Sequence, residues 1–192
     1  MKRAKEKQLL QSARKGDADA FAVLYRETVQ QVFRYIYYRV SEQQLAEDLT
    51  GDVFIRALNA IGRYEERGKP FIAWLYSIAH ARVVDHYRKT DRRPIDETID
   101  DNLIISRPDM DANLMRRKAA QILREAISTL TAGQQQVIIM RFIEGYNIEE
   151  TAQIMGKKAN AIKALQHRAL RALASRLERS GFDLDEILEG LS

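Results

Sequence analysis

The chain has 192 residues and a mass of 22.1 kDa, is 45% apolar and 30% charged, and so fits one ordinary soluble domain or two small ones rather than a disordered, collagen-like or coiled-coil rod. Its lack of cysteine excludes disulfides and thiolate chemistry and fits a reducing compartment; with no apolar run near the roughly 20 residues of a membrane span and no apolar signal core at the start, a cytoplasmic protein is expected. The net charge of +4 is unevenly spread: residues 1–93 carry +6, 94–111 carry −5, 112–180 carry +7 and 181–192 carry −4, a division into two basic modules, an acidic linker and an acidic tail. Basic modules of this size most often meet nucleic acid.

Helix signals dominate the first module. A helix or arm is expected before Gly16, followed by a helix capped by Asp17 with Phe21, Leu24, Tyr25, Val32, Phe33, Ile36 and Tyr37 on its apolar face, to about Val40. Ser41 and Gln44 form a capping-box pattern for a second helix with Leu45, Leu49, Val53, Phe54 and Leu58 inside. Gly62 to Pro70 reads as a turn, and a further helix runs from about Phe71 to Lys89. That helix and the preceding loop combine Phe71, Trp74, Tyr76 and Tyr87 with Lys69, Arg82, Arg88 and Lys89. Aromatics interleaved with cations suit unpaired bases, since stacking a base on a ring contributes about 1–3 kcal/mol; the same rings on one helical face also fit a plain core. Asp85 is placed to pair with Arg82, Arg88 or Lys89.

The linker, 94–111, holds two of the three prolines. In the second module, Leu114 to Leu130 reads as a helix. Thr131 with Gln134 caps the next, which Gly145 ends, and Asn147 with Glu150 caps a short helix to Met155. Gly156 then breaks the chain before a long helix from about Asn160 to Arg179. Within this stretch Ala152 permits close helix crossing, Gly156 takes the positive φ of a tight turn, and Ile162 fills the space between the helices with Ile148, Met155 and Leu165. This is the spacing of a helix-turn-helix. The second helix of such a unit enters the major groove, and residues 157–179 carry a net charge of +6. Asn160 and Gln166 are candidates for reading adenine. In the tail, Leu184, Ile187, Leu188 and Leu191 recur at helical spacing, and the segment is expected to dock on a basic module.

No catalytic signature of the metalloprotease, phosphate-loop, dinucleotide-binding, serine-hydrolase or EF-hand type occurs, and no enzyme is expected. The three histidines form no metal constellation; Asp48 and Asp52, four apart on one helix, could hold a cation but more often mark a solvated or protein-binding face. A stand-alone helix-turn-helix regulator and a nucleic-acid-processing enzyme with an unrecognised site remain rival readings.

The two modules in this order resemble an extracytoplasmic-function sigma factor, the minimal group of the sigma-70 family of bacterial transcription initiation factors. The likeness covers about Ala18 to Arg93 and Ile122 to Arg179. FAVLYRETVQQVFRYIYYRV resembles the first helix of region 2, and LAEDLTGDVFIRAL is similar to the helix that binds core RNA polymerase. KPFIAWLYSIAHARVVDHYRK resembles the helix that reads the -10 element, and ISTLTAGQQQVIIMRFIEGYNIEETAQIMGKKANAIKALQHRALRAL resembles region 4, the -35 reader. The resemblance implies an all-α fold of two small domains joined by a flexible linker, with region 2 in 1–93, a linker in 94–111, region 4 in 112–180 and a tail in 181–192. It implies docking on the polymerase β′ clamp helices through Asp48, Leu49, Asp52, Val53 and Phe54, with Gly51 standing where the family usually has Gln. It implies capture of the non-template -10 strand by Arg63, Tyr64, Lys69, Phe71, Trp74, His80, Ala81, Arg82, Arg88 and Lys89, with His80 and Ala81 in place of the usual Arg and Asn. For the -35 duplex the implied set is Lys157, Lys158, Asn160, Lys163, Ala164, His167, Arg168 and Arg171, with Leu165 where an Arg often stands. The further implied partners are the polymerase β flap, promoter DNA and an anti-sigma factor. No cofactor or membrane span is implied.

Overall fold

The computed structural model describes residues 3–65, 68–90 and 120–179; the acidic linker and the tail lie outside them, as does the start of the helix expected from Leu114. Among the described residues the fold is all helical. The elements are α1 (Arg3–Arg14), α2 (Ala18–Val40), α3 (Gln43–Ala60) with a 3-10 turn (Ile61–Arg63), and α4 (Phe71–Thr90). They continue with α5, described over 120–128, then α6 (Ala132–Ile138) running into a π turn (Ile139–Ile143), α7 (Ile148–Met155) and α8 (Ala159–Arg179).

Several helix ends follow from local chemistry. Asp17 Oδ1 accepts from the Ala20 amide at 3.0 Å and starts α2. Asn147 and Glu150 exchange side-chain and backbone hydrogen bonds at 2.8 Å, a full reciprocal cap on α7. At Thr131, the Gln134 carbonyl oxygen accepts from both the backbone amide and the hydroxyl at 3.0 Å. The expected Ser41 cap is corrected. Ser41 instead closes α2 in a left-handed conformation, φ 60, its amide donating to Tyr37 O, and α3 begins from Glu42 without a side-chain cap. A residue committed to ending one helix has the wrong backbone direction to cap the next.

In the first module α2, α3 and α4 pack mutually, and α1 lies across α2 and the 3-10 turn. Leu24, Val32, Tyr35, Ile36, Val53, Phe71, Leu75 and Ala79 form the buried centre. Leu58, expected inside, is 52% exposed, because it falls at the edge of the buried face of α3, about a right angle round the helix from the centre of Val53, Phe54 and Ala57. In the second module Ile127, Val137, Ile162, Ala169, Leu173 and Leu177 form the core.

The two cores are not independent. Ile139, Met140 and Ile154 are buried in the same cluster as the first module's residues, and Arg124 stacks over the Tyr37 ring with 4.8 Å to its centroid. The π turn makes this possible. It widens the end of α6, with Glu144 N donating to Ile139 O at 2.9 Å, and turns Glu144 and Tyr146 onto α2. Arg34 donates to both Glu144 oxygens at 2.7 and 2.8 Å, and Gln31 donates to Tyr146 Oη at 3.0 Å. Among the described residues no helix is long and apolar enough to cross a membrane.

Candidate nucleic-acid interface

In α7 and α8, Gly156 sits at φ 65, the left-handed conformation that a side chain resists and glycine tolerates, and Lys157 N reaches back to Ala152 O at 2.9 Å to close the turn. Ile162 is fully buried between the helices, with Met155 and Leu165 packed around the same core. With the angle between the helices set by Ala152, Gly156 and Ile162, the opposite face of α8 is directed outward. Lys157, Lys158, Asn160, Lys163, Ala164, His167, Arg168 and Arg171 are all exposed, and every member of the expected -35 set therefore lies on one accessible side of the motif. Gln166 is different. Its side-chain oxygen accepts from Arg141 Nε at 2.9 Å, which ties α8 to the π turn and leaves Asn160 as the free amide of the pair considered for adenine.

The expected polymerase-docking residues divide by helix phase. Asp48 and Asp52 point outward, whereas Leu49, Val53 and Phe54 are buried in their own module's core. Those three support α3 from beneath. The apolar side chains that α3 presents outward are Ile55, 62% exposed, and Leu58, which form one stripe with Asp48, Gly51 and Asp52. Ile55 was absent from the expected set; its signal is the i, i+3, i+4 continuation of the Asp48 and Asp52 phase. A β-carbon on Gly51 would meet no atom within 4 Å, so nothing in the fold requires glycine there. Asp52 is not a free charge. It sits between Arg56, at 3.1 Å, and Arg82, which also donates to Asp85 at 3.1 Å, and Arg82 thereby fastens α4 to α3.

In the expected -10 set, Tyr64, Phe71 and Trp74 form one aromatic cluster, with ring centroids 4.7 to 5.8 Å apart. Tyr64 and Phe71 are buried and Trp74 is half-buried, so the first two make the floor of the loop and Trp74 supplies its accessible edge. Arg63, Lys69, Ala81, Arg88 and Lys89 are exposed. His80 is half-buried, with Nδ1 accepting from Arg39 Nη1 at 2.9 Å. Burial first and the Arg39 charge second hold its pKa below the ordinary 6.5, so the imidazole is neutral at pH 7. Arg39, itself buried, also donates to Tyr35 Oη at 2.6 Å and to Gln135 Oε1 at 3.1 Å, which joins a residue of the expected -10 set to the second module. The electrostatic pattern is thus two exposed basic faces, on α8 and at the loop and end of α4, with an acid-edged apolar stripe on α3. Among the described residues no three His, Asp or Glu side chains cluster as a metal site would require.

Comparison with known proteins gives matches to two family models, Sigma-70 region 2 over residues 24–93 and Sigma-70, region 4 over residues 120–173. The chain is 41% identical to the ECF RNA polymerase sigma factor BldN of Streptomyces coelicolor over 89% of its own length and 65% of that protein's; it therefore spans just under two thirds of that relative. It is 32% identical to the ECF RNA polymerase sigma factor SigX of Bacillus subtilis, covering 83% of this chain and 84% of that one. The fold is also that of the sigma factor RpoE in its solved complex with the anti-sigma factor NepR from Bartonella quintana, at 22% identity, with a TM-score of 0.60 over 82% of this chain and 96% of that one.

Proposed function

The chain belongs to the extracytoplasmic-function group of the sigma-70 family of RNA polymerase sigma factors, and from that premise we propose how its surfaces divide the work of promoter recognition. The α3 stripe docks on core polymerase, at the β′ clamp helices, with Ile55 and Leu58 as apolar anchors and Asp48 steering by charge. The exposed face of α8 reads the -35 duplex. Lys163, Ala164, His167 and Arg168 take the groove-facing positions, while Lys157, Lys158 and Arg171 take phosphates, with Asn160 as a base reader. The loop and exposed side of α4 receive the non-template strand of the -10 element through Arg63, Lys69, Trp74, Ala81, Arg88 and Lys89. Tyr64 and Phe71 shape the loop floor, and His80 and Arg82 hold α4 in place.

Unstacking a base costs a few kcal/mol, and stacking plus charge capture of one strand offset that cost. No covalent step falls to this chain in the proposal. An anti-sigma factor and the polymerase β flap complete the proposed partners, the former by analogy with the complex of RpoE and NepR, and the proposed site of action is the cytoplasm.

The observation that supports this reading best is the conjunction, in one chain, of an acid-edged apolar stripe and two separate basic faces. A stand-alone helix-turn-helix regulator needs only one of the three. Purified chain added to core polymerase on a genomic promoter library is expected to produce discrete run-off transcripts absent with core alone. Tight duplex binding by the free chain without any factor-dependent transcript would instead establish the regulator reading.

A further inference from the structure

Helix α1 precedes the region 2 match, which begins at residue 24, and the proposed division of labour gives it no task. Its packing is nevertheless aimed at one place. Leu10 and Ala13 anchor it in the first module's core, and from that anchorage two charged side chains reach the loop that precedes α4. Glu6 Oε1 accepts from the Phe71 amide at 2.9 Å, and Arg3 Nη2 donates to Gly68 O at 3.2 Å.

Phe71 is the first residue of α4, and its amide is one of those a helix leaves without an internal acceptor. The preceding Pro70 has no side-chain acceptor to offer. The cap of α4 therefore comes from another helix, as a carboxylate at the positive end of the helix dipole. Gly68 adopts φ 73, so the loop backbone follows a path that most residues resist. At the loop's other end, Lys7, Gln11 and Arg14 of α1 line a groove of about 230 Å³ with Tyr64 and Glu65.

We infer that α1 is a positioning element for strand capture, in which Glu6 and Arg3 hold the stretch from Gly68 to Phe71 in the shape that presents Lys69 to the non-template strand, while α1 also packs on the 3-10 turn that carries Arg63. A loop ordered before binding has already met the entropy cost of ordering. Removing the hold weakens strand capture while leaving polymerase docking intact, since the α3 stripe is a separate exposed surface. The inference rests on the assignment of this loop to the -10 strand.

The test uses the full chain bound to core polymerase, with a single-stranded oligonucleotide carrying the non-template -10 sequence of a promoter mapped by run-off. Glu6→Ala is expected to bind the oligonucleotide about fivefold more weakly, the scale of one lost helix cap, with unchanged affinity for core polymerase. Glu6→Gln, whose amide oxygen still accepts, is expected to recover most of the loss. Wild-type oligonucleotide affinity in Glu6→Ala overturns the inference, as does an equal fall in core affinity, which marks a merely structural residue. Arg63→Ala with Lys69→Ala separates the two levels. If that pair leaves oligonucleotide binding unchanged, the loop assignment falls and takes the inference with it; if the pair weakens binding and Glu6→Ala does not, only the inference falls.

Discussion

Arg39 carries a cation into the interior of a helical module, and three neutral side chains, Tyr35, His80 and Gln135, accept its hydrogens. This fixes the state of His80. Nδ1 is the acceptor, so in the neutral ring the proton sits on Nε2, and protonating Nδ1 would destroy the hydrogen bond and set two cations side by side. Because the folded pKa lies below the ordinary 6.5, the unfolded chain binds a proton that the folded chain refuses. The stability tied to His80 is then full above about pH 6.5 and is lost as the pH falls below it. Urea midpoints measured from pH 7.5 to 5.5 are expected to fall more steeply for the wild type than for His80→Gln, and parallel slopes would contradict this. At the residue scale, what depends on neighbours in the chain was legible in the sequence: the Asp17 cap, the positive φ of Gly156, the burial of Ile162 and the pairing of Asp85 with a nearby cation, which the structure gives, among the three candidates, as Arg82. The Arg39 cluster was not, because its partners come from α2, α4 and α6, and no local pattern links them.

Among the elements, α3 shows how pattern and phase differ as guides. Its motif identified the helix, but a motif written as a string does not say which of its positions face inward. Leu49, Val53 and Phe54 belong to the string yet are buried, whereas Ile55 and Leu58 complete the outward stripe. Ile55→Asp and Leu58→Asp are expected to leave thermal stability nearly unchanged, within about 0.5 kcal/mol as for ordinary surface positions. They should weaken binding to core polymerase by at least about 2 kcal/mol, the scale of an interface anchor. A pull-down titration with core polymerase and a melting curve on the same samples measure both, and unchanged core affinity would refute the stripe as the docking face. Helix α8 was read more completely. Its charged face and its buried face alternate with the helical period, so exposure followed directly from the sequence. The role of α1 was illegible for the opposite reason, since Glu6 meets a partner that lies 65 positions along the chain.

For the whole molecule, the sequence indicated two modules but not that they would share buried residues. Apolar periodicity reports that Ile139, Met140 and Ile154 avoid water and is silent on whose core they enter. The packed arrangement has a geometric consequence. Elements numbered -10 and -35 lie about 25 base pairs apart, or about 85 Å of duplex at 3.4 Å per pair, whereas a β-carbon on Gly156 would stand 2.7 Å from Lys69 Nζ. On the proposed assignment, the two reading surfaces must therefore separate for one chain to reach both elements. Among the described residues, the bidentate pair between Arg34 and Glu144 is a charged contact opposing that separation, with the Glu144 side chain only 1% exposed and that of Arg34 41%. Because the chain has no native cysteine, spin labels can be placed at the exposed positions Asn59→Cys and Ala161→Cys. Glu144→Ala is expected to broaden their distance distribution toward longer values in the free protein, and an unchanged distribution would show that the remaining contacts hold the modules together without this pair.

The carbonyl of Gly68 accepts from Arg3 of α1 and, at 2.8 Å, from Gln153 of α7. An oxygen of this kind has two lone pairs, and in the packed molecule both are occupied, one by each module. Separation removes Gln153 together with α7 and leaves Arg3 in place. The loop then keeps its support on one side and regains one vacant acceptor on the other, within the surface proposed to receive a strand whose bases carry amino groups. The same movement that parts the modules thus changes the hydrogen-bonding capacity of the loop without changing any residue in it.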